Sequence, residues 1–305
     1  MTSETGRFDG VFTALVTPFR DGRVDHASFE ALVERQIAAG VAGLVPVGTT
    51  GEAATLSDDE AEELIRRTVA LAAGRVMVVA GAGSNDSGKA AEKARRAEKA
   101  GADALLVVTP YYNKPTQAGL LRHYAMVAEA SALPTVLYSV PGRCGIEIAV
   151  ETCAALRDRH PGIVAIKEAG GSVERVTRIR RACGADFVVH CGDDALTLPF
   201  LAAGAAGVTS VVSNYAPREV VAMVAAWHAG DAARALRLHE HLFDLAEGMF
   251  IEANPGPVKA ALAMEGLAGA AMRAPMAAME PQNETRLAGI LERFRARAPL
   301  FQEMR

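Results

Sequence analysis

Short apolar stretches alternate along the chain with longer segments in which hydrophobic residues recur every three or four positions. Each short stretch is rich in Val, Ile and Leu, a composition typical of strands that are buried on both faces of a parallel sheet. The alternation predicts eight strand-then-helix units. We expect the strands at residues 11–19, 43–48, 76–83, 104–110, 134–140, 163–169, 187–193 and 207–214.

The longer segments have the spacing of amphipathic helices. The segment from Ser57 to Ala72 also begins with a capping box, in which Ser57 and Glu60 satisfy backbone groups at the start of a helix. Eight parallel strands that are each followed by a helix are typical of a closed (β/α)8 barrel, the TIM barrel of the α/β class. A doubly wound open sheet is the alternative.

After about residue 228 the pattern becomes helical throughout, with a last helix expected near 283–297. We therefore predict a (β/α)8 barrel over residues 1–228 and a C-terminal helical extension, packed on the barrel, over residues 229–305. The length of 305 residues suits one barrel of about 250 residues with such an extension.

The composition argues against several classes of protein. The net charge is −4 and the chain has no cluster of basic residues, so we expect no binding to nucleic acid. No apolar run approaches the roughly 20 residues of a membrane span, and the N-terminus lacks the pattern of a secretory signal. The four cysteines form no CxxC pair or disulfide framework. These features predict a cytoplasmic protein.

Two patterns that suggest metal or nucleotide binding are incomplete. His239 and His241 are two residues apart and would point to different sides of a helix, so we expect no metal site there. The segment from Gly83 to Lys89 resembles a phosphate-binding loop, but Ala90 stands where that loop requires a serine or threonine.

Lys167 lies near the end of the sixth apolar stretch, in the segment IVAIKEA. Strand alternation places it on the same face as Ile163 and Ala165, in surroundings that disfavour a charged ammonium. A neutral amine can attack a ketone and form a Schiff base. The structural alternative is a lysine paired with a buried carboxylate, such as Glu168 or Asp193.

Turns after other predicted strands carry side chains suited to a small carboxylate. Thr49 and Thr50 in GTTGE offer hydroxyls and backbone N–H groups. Tyr138 ends the fifth stretch and can relay protons, and Arg143 follows it and can hold a carboxylate by two hydrogen bonds. Each of these residues also has an ordinary structural interpretation, as part of a turn, a buried phenol or a solvated charge.

Six motifs follow one another at or near the ends of the predicted strands, namely GTTGE, TPYYNKP, LYSVPGR, IKEA, CGDD and GVTSV. Together with the later segment EANPGPVK, they resemble the dihydrodipicolinate synthase and N-acetylneuraminate lyase family over nearly the whole chain, from Phe8 to about Leu291. The resemblance implies a class I, Schiff-base lyase that acts on pyruvate and needs no metal or organic cofactor.

The resemblance also implies roles for individual residues in catalysis. Lys167 would form the Schiff base with pyruvate, and Tyr138 would relay protons. Thr49 and Tyr112 would complete a hydroxyl relay with Tyr138, with Tyr112 supplied by a neighbouring subunit. A homotetramer built from tight dimers is therefore expected.

Substrate binding is implied at four further positions. Thr50, helped by the backbone near Thr209, would bind the carboxylate of pyruvate, and Gly192 of the CGDD motif would belong to the same site. Arg143 would bind the carboxylate of aspartate semialdehyde, which implies condensation of the two substrates in lysine biosynthesis through diaminopimelate. Ser139 departs from the family pattern, because an asparagine is usual at this position.

Alternative functions remain open at this point. Another aldolase or hydro-lyase of the same family, acting on a sugar acid or 4-hydroxy-2-oxoglutarate, would use Lys167 and Tyr138 without needing Arg143. A non-catalytic protein on the same scaffold could bind pyruvate without turning it over.

Overall fold

A closed barrel of eight parallel strands forms the centre of the computed structural model, which describes residues 7–297. Strands adjacent in the chain are paired, and the last pairs with the first, which closes the barrel. The strands are β1 (Gly10–Ala14), β2 (Gly43–Val45), β3 (Met77–Gly81), β4 (Ala104–Val108), β5 (Thr135–Ser139), β6 (Ile163–Glu168), β7 (Val188–Cys191) and β8 (Gly207–Ser210). The predicted (β/α)8 fold is confirmed.

A helix follows each strand and covers the outside of the barrel. These helices are α1 (His26–Ala38), α2 (Asp58–Ala72), α3 (Ser87–Lys99), α4 (Gln117–Ala130), α5 (Val150–Arg159), α6 (Val173–Cys183), α7 (Thr197–Ala202) and α8 (Pro217–His228). The predicted capping box is present, since Ser57 and Glu60 exchange hydrogen bonds at the start of α2. Within residues 7–297, no helix has both the length and the apolarity that a bilayer span needs.

Most strands are shorter than predicted. The eighth apolar stretch was expected to be a strand to residue 214, but β8 ends at Ser210 and a short 3-10 turn, Val212–Asn214, follows. Val211 and Val212 are nevertheless buried, because this turn folds back against the core. Apolar residues therefore mark burial beyond the end of a strand, where the chain turns at the barrel rim.

Two hydrophobic layers stabilise the fold. One fills the barrel interior and includes Phe12, Val79 and Ala165, and the other lies between the strands and the helices. The prediction that Ile163 shares a face with Ala165 and Lys167 is wrong, because Ile163 belongs to the outer layer. The pairing of β5 with β6 shifts register between these positions, and such an irregularity interrupts the two-residue alternation.

Three more helices follow the barrel, α9 (Ala232–Gly248), α10 (Gly256–Met264) and α11 (Pro281–Ala296). Helix α10 is buried from Gly256 to Leu262, so this part of the chain is enclosed by its neighbours. The predicted boundary at residue 228 stays a prediction, and residues 298–305 of the expected extension lie outside the described residues.

The loop that resembles a phosphate-binding loop is closed by its own side chains. The carboxylate of Asp86 accepts a hydrogen bond from the backbone N–H of Lys89 at 3.1 Å and caps α3. The hydroxyl of Ser84 accepts one from the N–H of Asp86. An anionic side chain already lies at the helix N-terminus, where such a loop would hold a phosphate.

His123 is buried outside the barrel, where α4 packs beside α3. Its Nδ1 lies 3.0 Å from the hydroxyl of Ser87, and 2% of the residue is exposed. Burial lowers the pKa of His123 from 6.5 to about 4. The folded protein therefore keeps this imidazole neutral at pH values at which an unfolded chain would protonate it.

This histidine should make stability depend on pH. Between about pH 6.5 and pH 4 the unfolded chain binds a proton at His123 that the folded chain does not, so stability is lost as pH falls. The glutamine of the His123→Gln variant cannot titrate. We therefore expect the free energy of unfolding of wild type, relative to that of the variant, to fall by up to about 1.4 kcal/mol per pH unit below about pH 6. Urea unfolding of both proteins at about pH 7, 6 and 5 measures this, and a difference that stays constant across these pH values would contradict it.

Candidate active site

A cavity of about 350 Å³ opens at the carboxyl ends of the strands. This is the end at which (β/α)8 barrels carry their functional groups. Of the residues predicted from the sequence, Thr49, Tyr138 and Arg143 line its wall. Cys144, Glu52 and Asn254 also line it.

Lys167 and Tyr138 are neighbours on adjacent strands. They pair in register between β6 and β5, and both belong to the barrel interior, with 5% and 6% of each residue exposed. The Nζ atom of Lys167 lies 4.4 Å from the centre of the Tyr138 ring, in the geometry of a cation–π contact. The amine and the phenol are therefore side by side in the barrel interior, where Tyr138 also reaches the cavity wall.

The two carboxylates considered as partners of Lys167 are engaged elsewhere. Glu168 is fully buried on the opposite face of β6 and forms an ion pair with Arg175 at 3.0 Å. Asp193 accepts a hydrogen bond from the backbone N–H of Ala195. Within residues 7–297, no carboxylate lies within 4.0 Å of the Lys167 amine. The structure therefore does not pair Lys167 with a buried acid.

Arg143 lies in a short helical turn, Pro141–Cys144, directly after β5. The residue is exposed, and within residues 7–297 its side chain forms no hydrogen bond, so the guanidinium is free to meet a ligand at the cavity wall. Ser139 lies at the base of this turn and is buried. Its hydroxyl accepts a hydrogen bond from the N–H of Ile148 at 3.3 Å, which ties the far end of the loop back to the strand.

The GTTGE turn after β2 is more constrained than its glycines alone indicate. Val47 and Glu52, not the glycines, adopt positive φ angles of 59° and 54°. A side chain at Gly51 would meet the carbonyl oxygen of Leu15 at 3.1 Å, so this glycine permits close backbone packing. These constraints fix the shape of the turn that carries the two threonines.

Asn254 holds Thr50, although the two residues are far apart in the chain. The Asn254 side-chain amide donates to the Thr50 hydroxyl oxygen at 3.0 Å, and both residues are buried. The hydroxyl hydrogen of Thr50 is therefore available to a ligand, because its oxygen already accepts this bond. Asn254 belongs to the EANPGPVK segment, but nothing in the sequence pattern indicates this contact with Thr50.

A buried ion pair supports the same turn from below. Lys259 of α10 donates to Glu52 at 2.6 Å and to the carbonyl of Thr17 at 2.9 Å, and 1% of Lys259 is exposed. Burial lowers the pKa of Lys259, while Glu52 opposes that shift. The lysine-to-acid pairing considered for Lys167 thus occurs at Lys259, the last residue of the EANPGPVK segment.

The remaining predicted residues differ in position. Gly192 lies against the side chain of Lys167, since a Cβ on Gly192 would be 3.1 Å from Cε of that lysine. Thr209 lies in the interior on β8. Tyr112 has a positive φ of 74° and is 89% exposed, so the single chain does not bring it to the cavity wall.

Comparisons with known proteins show which family this chain resembles. The sequence model of the dihydrodipicolinate synthetase family matches residues 7–294. A 4-hydroxy-tetrahydrodipicolinate synthase of Nitratidesulfovibrio vulgaris, strain Hildenborough, is 48% identical over 285 residues, which cover 93% of this chain and 98% of the relative.

Solved structures give the same result. The 4-hydroxy-tetrahydrodipicolinate synthase of Methylacidiphilum fumariolicum SolV superposes with a TM-score of 0.96 at 45% identity, covering 97% of this chain and 99% of that one. The chloride-inhibited dihydrodipicolinate synthase of Acinetobacter baumannii, solved in complex with pyruvate, has a TM-score of 0.91 at 40% identity, covering 94% and 98%.

The ion pair under the turn should be essential to stability. Replacing Lys259 by Met leaves Glu52 buried without its cation, and we expect the free energy of unfolding to fall by about 3–5 kcal/mol. Urea unfolding at constant protein concentration measures the loss. Adding Glu52→Gln to Lys259→Met should recover part of the stability, because the buried charge is then removed.

Lys99→Met is the matched control, because Lys99 is exposed on α3. It should change stability by no more than about 0.5 kcal/mol. A loss below about 1 kcal/mol for Lys259→Met would contradict the structural role of the pair.

Proposed function

The chain belongs to the dihydrodipicolinate synthetase family, and from this premise we infer that it is a class I lyase that condenses pyruvate with L-aspartate 4-semialdehyde. This is the reaction of 4-hydroxy-tetrahydrodipicolinate synthases, in lysine biosynthesis through diaminopimelate. Relatives with this name match almost the whole chain at 45–48% identity.

One observation carries the assignment of the nucleophile. Lys167 presents its amine in the barrel interior, 4.4 Å from the Tyr138 ring, with no carboxylate partner within residues 7–297. An amine that no buried acid holds is free to attack a carbonyl carbon as a nucleophile. We therefore propose Lys167 as the Schiff-base lysine and Tyr138 as its proton relay.

The proposed reaction begins with attack of the neutral Lys167 amine on the ketone carbon of pyruvate. Tyr138 delivers a proton to the carbinolamine oxygen, which leaves as water, and an iminium ion forms. The iminium withdraws electrons from the methyl group, and loss of a methyl proton gives an enamine. The protein thus replaces one difficult carbanion step by two easier steps.

The second half of the reaction uses the aldehyde substrate. The enamine carbon attacks the aldehyde carbon, the aldehyde oxygen takes up a proton and becomes a hydroxyl group, and the iminium is regenerated. The amino group of the semialdehyde then attacks the iminium carbon and displaces Lys167, which closes the ring and frees the enzyme. Arg143 lies at the cavity wall and its side chain forms no hydrogen bond with the rest of residues 7–297, and it is proposed to hold the carboxylate of the semialdehyde.

Thr50 is proposed to bind the carboxylate of pyruvate. Its hydroxyl oxygen is occupied by the Asn254 amide, which leaves its hydrogen directed to an anionic ligand. Thr49 lines the cavity and is proposed to join the proton relay. Gly192 and Thr209 are proposed to form the floor of the pyruvate site.

We propose that the working form is a homotetramer built from dimers and that a neighbouring subunit supplies Tyr112. The high exposure of Tyr112, together with the adjacent Tyr111, supports this, because exposed aromatic residues favour subunit interfaces. The four cysteines are free thiols, which suits the reducing cytoplasm that we propose as the location.

Turnover tests the proposed function directly. Purified protein should condense pyruvate with aspartate semialdehyde with a kcat/KM of about 10⁴ M⁻¹s⁻¹ or more. The assay couples the product to dihydrodipicolinate reductase and measures the consumption of NADPH. Lys167→Ala should lose at least about a thousandfold in kcat, because the nucleophile is gone. Wild-type protein without turnover, or a Lys167→Ala variant with turnover, would refute the proposal.

Arg143 should determine use of the aldehyde. Arg143→Ala is expected to lower kcat/KM for aspartate semialdehyde by about a hundredfold, since a charge-assisted carboxylate contact disappears, while KM for pyruvate changes little. Arg122→Ala, at an exposed position on α4, is the control for loss of a surface arginine. Equal kcat/KM values for wild type and Arg143→Ala would remove the basis for the semialdehyde as substrate.

A further inference from the structure

His190 is a polar residue in the apolar interior of the barrel. It lies on β7, is 5% exposed and pairs in register with Lys167 on one side and with Gly207 on the other. The edge of the Phe12 ring packs against its imidazole, with the ring centres 4.9 Å apart. His190 directly precedes the CGDD motif, and no step of the proposed reaction takes place at this residue.

The hydrogen bonds of His190 determine its tautomer. Its Nε2 atom contacts the backbone carbonyl of Phe8, and a carbonyl oxygen only accepts, so Nε2 carries the proton. Burial lowers the pKa of His190 to about 4, so the imidazole is neutral at neutral pH. Its Nδ1 atom therefore holds a lone pair, and the Thr209 hydroxyl, 3.1 Å away, must donate to it.

Thr209 lies at the level of the Lys167 side chain. Gly207 pairs with His190 and Val208 with Cys191, so continuing this register places Thr209 beside Gly192. Gly192 is also the residue whose missing Cβ leaves room for Cε of Lys167. Lys167 pairs with His190 and its side chain extends from there to Gly192, so Thr209 and the Lys167 side chain both lie beside Gly192.

We propose that His190 is a positioning residue that fixes the direction of the Thr209 hydroxyl, an inference that rests on the proposed Schiff-base function. The hydroxyl hydrogen is held toward His190, so the oxygen lone pairs remain to accept an N–H from Lys167 or from its iminium. A hydroxyl free to rotate could instead donate to the lone pair of the neutral amine. That lone pair must attack the ketone, so such a bond would slow Schiff-base formation.

Two substitutions separate the hydrogen bonds of His190. His190→Asn retains an acceptor close to the position of Nδ1, whereas His190→Gln retains a donor close to the position of Nε2. Thr209→Val removes the hydroxyl at nearly constant volume, and Thr209→Ser keeps it. His123→Gln is the matched control, because His123 is also a buried neutral histidine bonded to a hydroxyl, but it lies outside the barrel.

The rate of Schiff-base formation is the measurement. Each protein is mixed with pyruvate, reduced with borohydride after timed intervals and weighed by mass spectrometry, and KM and kcat are then determined at steady state. Thr209→Val and His190→Gln should each slow trapping by at least about threefold, and their double variant should be no slower than either alone. His190→Asn and Thr209→Ser should recover most of the rate, and His123→Gln should match wild type.

Several outcomes would overturn the proposal. It fails if Thr209→Val traps pyruvate at the wild-type rate, a result that does not require any His190 variant to fold. It also fails if His190→Asn and His190→Gln slow the trapping of pyruvate equally and lower the melting temperature to the same extent. The role of His190 would then be structural. If wild type itself traps no pyruvate on Lys167, the Schiff-base function fails first, and His190 loses its proposed role with it.

Discussion

The amine of Lys167 lies inside a closed barrel, and the site depends on keeping negative charge away from it. Among residues 7–297, three buried acidic side chains near this end of the barrel are each held by another partner. Glu168 pairs with Arg175 on the outer face of β6, and Glu52 pairs with Lys259 beneath the β2 turn. Asp194 accepts hydrogen bonds from the Ser210 hydroxyl and from two backbone N–H groups. With the acids engaged in this way, the interior lysine is left for covalent chemistry.

Contacts between distant parts of the chain build the substrate-facing surface. Thr50 and Asn254 are separated by 204 positions in the sequence, and Glu52 and Lys259 by 207, yet both pairs are buried contacts of the same turn. The helices after the barrel therefore contribute to this turn directly, because Lys259 of α10 is the cation that allows Glu52 to be buried. A change in this C-terminal segment would reach the threonines at the cavity through the turn that it supports.

The placement of the strands and the interior position of Lys167 could be predicted because both depend on local pattern, namely apolar runs and a lysine near the end of one of them. The face of β6 on which Ile163 lies could not be predicted, because the register shift that determines it depends on how β5 and β6 pair. Lys259 was also missed, since its segment does not reveal that a distant glutamate will neutralise it. His190 did leave a signal: the alternation Val188, His190, Gly192 places an imidazole among interior positions. The proposed roles of the site residues themselves remain predictions.

The central claim is that one particular amine forms the covalent intermediate. The most direct measurement is borohydride reduction of the wild-type protein in the presence of pyruvate, followed by peptide mapping with mass spectrometry. In the part of the chain that the structure describes, residues 7–297, two lysines are buried, Lys167 and Lys259. The account predicts the reduced pyruvate adduct on Lys167 and an unmodified Lys259, whose ammonium is held by Glu52. An adduct on Lys259, or turnover with no adduct on Lys167, would contradict it.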